Sequence, residues 1–111
     1  MPMPDIQTVL NALADPRRRR ALAIIWADGG EHCVCELMER LGTSQPNTSR
    51  HMKVLREAGL VIDRRDAQWV RYRPNPDLPS PLAVVVEAVL ACEPVAPLPA
   101  TGCQNQKEFA A

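Results

Sequence analysis

Aromatic side chains are scarce in this chain: two Trp, one Tyr and one Phe among 111 residues. That is too few for a platform on which single-stranded bases would stack. No run of 18 apolar residues occurs, so no segment reads as a membrane-spanning helix. The N-terminus lacks the charged-then-apolar pattern of a secretory signal, and the expectation is a cytoplasmic protein with no membrane contact. Nucleophile, base and acid do not fall into a recognisable constellation, and a chain this short seldom encloses a deep pocket. A binding module is expected, not an enzyme, and no constitutive cofactor.

Net charge is absent too, with 13 Lys and Arg against 13 Asp and Glu. The balance hides a segregation. Residues 44–73 carry seven cations and three acids, whereas 74–111 carry one cation and four acids. A locally basic stretch in a neutral chain is the profile of a phosphate-binding surface, not of a sticky basic tail.

Apolar periodicity predicts helices over 5–14 and 16–28. Asp15 caps the second helix and Pro16 takes its first position. Its four consecutive arginines, Arg17 to Arg20, point all round a helix, so most are expected in solvent or paired with acids. A third helix is predicted over 34–41 and ended by Gly42-Thr43, then a fourth capped by Ser44 and stopped by Gly59. Two helices split by a short glycine-containing turn form a helix-turn-helix. A β-hairpin is expected next, with strands 60–65 and 68–73 around Asp66-Ala67. Residues 82–92 make a helix with hardly any polar face, which a small domain cannot enclose, so a second copy of the chain is expected to cover it. The domain is taken as 1–92; residues 93–111, with three prolines and no periodicity, are expected to be a disordered tail.

The fourth helix has a buried stripe of Thr48, Met52 and Leu55. At 100° per residue this sends Arg50, Lys53 and Glu57 outward, with Asn47 and Ser49 on the flanks and Ser44 and Gln45 at the N-terminal end. Short hydrogen-bonding groups at a helix start, followed by cations, meet the demands of the major groove, where base edges are read and phosphates are anchored. A plain solvated face fits the same residues. His51 lies nearer the buried stripe, between packing and DNA contact. The hairpin adds Arg64, Arg65, Arg71 and Arg73, placed as a wing beside the helix. The expected architecture is mostly α with a small β-hairpin: a winged helix-turn-helix, homodimeric through its terminal helices, on double-stranded DNA.

The cysteines are at 33, 35, 92 and 103. Residues two apart on a helix diverge by about 200°, so Cys33 and Cys35 can share an ion only at an extended helix start. A helix N-terminus favours the thiolate form that such binding needs. Two close thiolates suit a soft ion or trivalent metalloid. One buried cysteine beside an incidental thiol is the more ordinary explanation of the pair taken alone, and spacing leaves both open.

The runs LADPRRRRAL, GGEHCVCELMERLG, SQPNTSRHMKVLREAGLV and WVRYRP, in that order over residues 8–92, resemble the ArsR/SmtB family of metal-responsive repressors. The arsenic-responsive subgroup is the nearest in pattern. The resemblance implies a homodimer on an inverted-repeat operator, released when arsenite or antimonite binds Cys33 and Cys35. Where that subgroup has a third cysteine, this chain has Met38, expected in the core. A third ligand would then be Cys92 or Cys103, from the same or the other subunit, or else a small thiol or water. The last helix lacks the His and Asp ligands of zinc and nickel sensors. A cadmium- or lead-responsive repressor and a thiol-redox switch are the alternatives. Gathering both thiols on one ion is expected to distort the start of the third helix and so disturb the fourth. The usual wing-tip glycine is missing at Asp66-Ala67-Gln68, which leaves the turn geometry open.

Overall fold

The computed structural model describes residues 4–93. In chain order they form α1 (Ile6–Leu13), α2 (Pro16–Asp28), β1 (His32–Cys33), α3 (Val34–Leu41), α4 (Gln45–Glu57), β2 (Val61–Asp66), β3 (Trp69–Pro74) and α5 (Ser80–Ala91). Most of the tail expected to be disordered, Cys103 included, lies outside the described residues.

Four of the five described helices begin where a side chain replaces the missing carbonyl partners of the first turn; α5 starts without one, after Pro79. Asp5 accepts from the Thr8 amide, Asp15 from the amides of Arg17 and Arg18, and Ser44 from that of Asn47. The arginine run has a use that residue types alone do not reveal. Arg18 donates to the carbonyls of Ala12 and Asn11, and Arg19 to that of Leu13, so two cations satisfy the C-terminal end of α1. Arg19 also meets Glu93 at 2.6 Å, while Arg17 and Arg20 are exposed.

One core unites the elements. Val9, Leu22, Ile25, Leu37, Met52, Leu55, Leu60, Val61 and Val86 are fully enclosed. Each such side chain contributes about 1.5–3 kcal/mol of burial. Thr48, Met52 and Leu55 form the buried stripe of α4, as the periodicity predicts. Met38 packs partly buried against this core. α4 stops at Ala58, and the chain turns into β2 through Gly59 at φ +82°. A Cβ there would lie 2.6 Å from Pro4 Cγ, so both the backbone angle and the space call for glycine.

The hairpin is present, shifted by one residue from its expected boundaries. Asp66 pairs with Trp69, so the two-residue turn is Ala67-Gln68 and not Asp66-Ala67, and the first strand begins at Val61. Ala67 takes the left-handed conformation, φ 57°, in place of a glycine. A third strand was not expected. β1 pairs antiparallel with β3, giving the sheet order β1-β3-β2, with His32 opposite Tyr72 and Cys33 opposite Arg71. Two residues are too short a run to show any period.

α5 starts two residues earlier than its apolar run indicates, with Pro81 in the first turn and Cys92 as its C-cap. Only Val86 of this helix is fully buried, and Val84 is 63% exposed. Ile6 and Leu10 of α1, the helix beside it, are exposed as well.

Candidate functional site

α4 presents the outward set that its sequence predicts. Ser44, Gln45, Asn47, Arg50 and Lys53 are exposed along one side of the helix and its start, with Ser49 and His51 half-buried on the flanks. The Ser44 hydroxyl oxygen caps the helix, 3.3 Å from the Asn47 amide. The Arg50 guanidinium donates to the Asn47 side-chain oxygen. Near His51, at the start of α2, burial opposes ionisation of Asp15, but the Arg17 and Arg18 amides outweigh it and hold that carboxyl below its usual range. Behind this surface the Thr48 hydroxyl is wholly buried with no hydrogen-bond partner among the described residues.

The wing cations divide. Arg65 and Arg73 are exposed. Arg71 donates to Asp66 at 2.8 Å, an acid of the same hairpin. Arg64 forks onto Glu31, Nε at 2.8 Å and Nη2 at 2.7 Å, and holds that carboxyl below its usual range. Arg56, which the sequence does not single out, ties the end of α4 to Asp63 of β2 at 3.0 Å.

The thiols meet. Cys33 is the N-cap of α3, with extended backbone at φ −70°, ψ 146°, and its sulfur accepts from the Cys35 amide at 3.4 Å. Cys33 Sγ and Cys35 Sγ are 2.9 Å apart. The extended helix start inferred from the spacing is therefore present, but the expected distortion is not needed. Cys33 lies outside the helix, in β1, so the 200° separation never applies and both sulfurs converge with α3 regular. Cys92 lies on the far side of the chain's order, exposed at the end of α5, its thiol 3.3 Å from the Ala88 carbonyl. Among the described residues no three His, Cys, Asp or Glu side chains gather to hold a metal. Cys92 therefore does not join the pair within one chain.

A charged network missed by sequence reading flanks the thiols. His32, 6% exposed, places Nε2 at 2.9 Å from Asp28 and Nδ1 at 3.0 Å from Glu36, which also accepts from Arg40 at 2.8 Å. Burial lowers the histidine's pKa, but the two carboxylates outweigh it and the net shift is upward. Burial likewise opposes Glu36 ionising, and His32 and Arg40 overcome it, so its pKa is lowered. Asp28 is lowered first by the Gly30 amide and then by His32. The signal was visible as Asp28, His32, Glu36 and Arg40 at four-residue spacing. It was obscured because the four residues span the end of one helix, a strand and the next helix.

A model described as "Bacterial regulatory protein, arsR family" matches residues 15–63. An arsenic resistance transcriptional regulator of Pseudomonas putida is 54% identical over 72 residues, 65% of this chain and 62% of that protein. The chain thus spans about three fifths of that relative's length. An arsenical resistance operon repressor of Escherichia coli is 41% identical over 81 residues, 73% of this chain and 68% of that protein. In three dimensions the chain resembles a homodimeric winged helix-turn-helix DNA-binding domain of Mycobacterium bovis. The TM-score is 0.64 at 26% identity, over 78% of this chain and 75% of that one.

Proposed function

The chain belongs to the arsR family of bacterial regulatory proteins, and on that footing we propose a DNA-binding transcriptional repressor that leaves its operator when As(III) or Sb(III) binds Cys33 and Cys35. The observation that carries this reading is the meeting of the two sulfurs at 2.9 Å on the segment leading directly into the helix-turn-helix. The repressor works as a homodimer. Val84 of α5 with Ile6 and Leu10 of α1 supplies the apolar surface that a second copy would cover. The operator is double-stranded DNA with an inverted repeat, which mirrors such a pair. α4 enters the major groove: Gln45, Asn47 and Ser49 face base edges, Arg50 and Lys53 anchor phosphates, and the wing lies along the adjacent backbone.

Two thiols and no third described donor fit a soft ion whose remaining position is filled by Cys103, by a cysteine of the second copy, or by a small thiol or water. With bonds of about 2.3 Å and an angle of about 100° at the ion, two ligating sulfurs stand about 3.5 Å apart, wider than their 2.9 Å here. Binding therefore wedges Cys33 away from the first turn of α3 instead of drawing it in. Cys33 is hydrogen-bonded into the sheet and α3 packs on α4, so the wedge strains both DNA-reading elements. Ligand and DNA then oppose each other by equal factors.

The test uses an operator duplex selected from a random inverted-repeat library. Arsenite is expected to weaken the wild-type complex at least about tenfold, a coupling of about 1.4 kcal/mol. The Cys33→Ser/Cys35→Ser variant is expected not to respond. Equal release of both proteins refutes the reading. The sulfur contact also favours a second reading, a redox switch in which the two thiols and hydrogen peroxide yield a disulfide and two waters. A pair so close in sequence makes a strained bridge. Release by peroxide and not by arsenite, reversed by dithiothreitol, would favour that switch.

A further inference from the structure

Across the sheet, Cys33 of β1 stands opposite Arg71 of β3, and Arg71 stands opposite Arg64 of β2. Directly opposed residues on antiparallel strands share a face. One thiol and two guanidinium groups thus form a row, and the carboxylate of Glu31, two residues before Cys33, reaches across to its far end. The two ion pairs of the wing differ in kind. Asp66 belongs to the hairpin and travels with Arg71. Glu31 belongs to the connection between α2 and β1, 33 residues from Arg64 in sequence, and its charge also acts on Arg71 and Arg73. Among the described residues, only the Glu31–Arg64 ion pair runs from the thiol-bearing segment to the wing.

A carboxylate that forks onto arginine occupies the same parallel N–H donors that a phosphate would take. The Arg64 side chain is more than half exposed, so a phosphate can reach it from solvent. The geometry points to a competition. Glu31 and a DNA phosphate contend for the Arg64 guanidinium, and the segment that holds the thiols thereby sets how much of the wing's charge reaches DNA. Movement of β1 on ligand binding shifts Glu31 relative to Arg64 and changes the terms of that contest. This inference rests on the DNA-binding reading above and adds a regulatory contact to it.

The test measures fluorescence anisotropy with a mixed-sequence 30-base-pair duplex over a range of salt, because non-specific binding reports phosphate contacts directly. Glu31→Gln is expected to tighten binding about three- to tenfold and to steepen the salt dependence by about 0.9 per protomer. Arg64→Gln is expected to weaken binding. The double variant should match Arg64→Gln alone, and Glu39→Gln, an equal change of charge on the exposed side of α3, should change binding less than twofold. Both partners of the pair are surface residues whose loss costs little stability, so all four proteins can be compared folded. Unchanged or weaker binding by Glu31→Gln overturns the competition. So does a gain that survives in the Arg64→Gln background, since that is only a change in net charge. Adding arsenite tests the link to the thiols. A smaller release from Glu31→Gln than from wild type supports it, and equal release refutes it. If arsenite releases neither protein, the sensor reading falls and the link with it, while the competition is still decided by the salt titrations.

Discussion

Helix α4 and the wing carry cations of the same kind under different terms. Arg50 and Lys53 stand exposed on α4 and make no ion pair among the described residues, so their charge is always on offer. Arg64 and Arg71 of the wing are each held by a carboxylate before any DNA arrives. In the proposed DNA complex α4 therefore supplies standing affinity, to which the exposed Arg65 and Arg73 add, while Arg64 and Arg71 supply a conditional part, because each must give up one anion to take another.

The largest effect expected from breaking this contrast comes from the helix. On the proposed reading, Arg50→Ala with Lys53→Ala removes two phosphate anchors per protomer. Duplex binding should fall by about tenfold per contact, and the salt slope should flatten by about one for each anchor lost. If the loss were no greater than that caused by Arg64→Gln, the two regions would not differ as described. Next in size is the joint between them. Gly59→Ala forces a side chain into left-handed backbone against Pro4 and should cost about 2 kcal/mol of stability, read in a urea titration. A cost under about 0.5 kcal/mol would mean that α4 and the wing are joined more loosely than the geometry shows. The smallest effect sharpens the contrast through pH. The folded-state pKa of His32 is raised above 6.5, so its stabilisation is fully present below pH 6.5 and is lost as pH rises through the folded value. The depressed pKa values of Glu36 and Asp28 protect the other side: their contribution is lost only as pH falls below the ordinary carboxylate range. The melting temperature should therefore drop by a few degrees between pH 6 and pH 8.5, and His32→Gln should flatten that slope. A wild-type curve as flat as the variant's would mean that the network does not stabilise the fold.

Much of the helical frame was legible in the residues because caps and periodicity act locally. Asp15-Pro16, Ser44 and the Thr48–Met52–Leu55 stripe each specify their element within a few positions. The extended helix start at Cys33 was legible too, from the impossibility of bringing the thiols together on a helix. What escaped was non-local. Glu31 meets Arg64 across 33 residues, and β1 exists only because β3 offers it an edge. The carbonyl contacts of Arg18 and Arg19 escaped because their partners are backbone groups of another helix, which any residue could supply. Ala67 shows the limit of local rules in the other direction: the turn forms without glycine because six pairs of strand residues hold its ends.

That β3 is the middle strand has a consequence for protein engineering. A hairpin grafted from a relative would replace the edge on which His32 and Cys33 are laid, since their strand partners Tyr72 and Arg71 would leave with it. Chimaeras meant to exchange only sequence preference should therefore be spliced inside α4, keeping the native hairpin together with its dipeptide. Those meant to exchange the proposed inducer response should transplant residues 28–40 and 61–74 as one cassette.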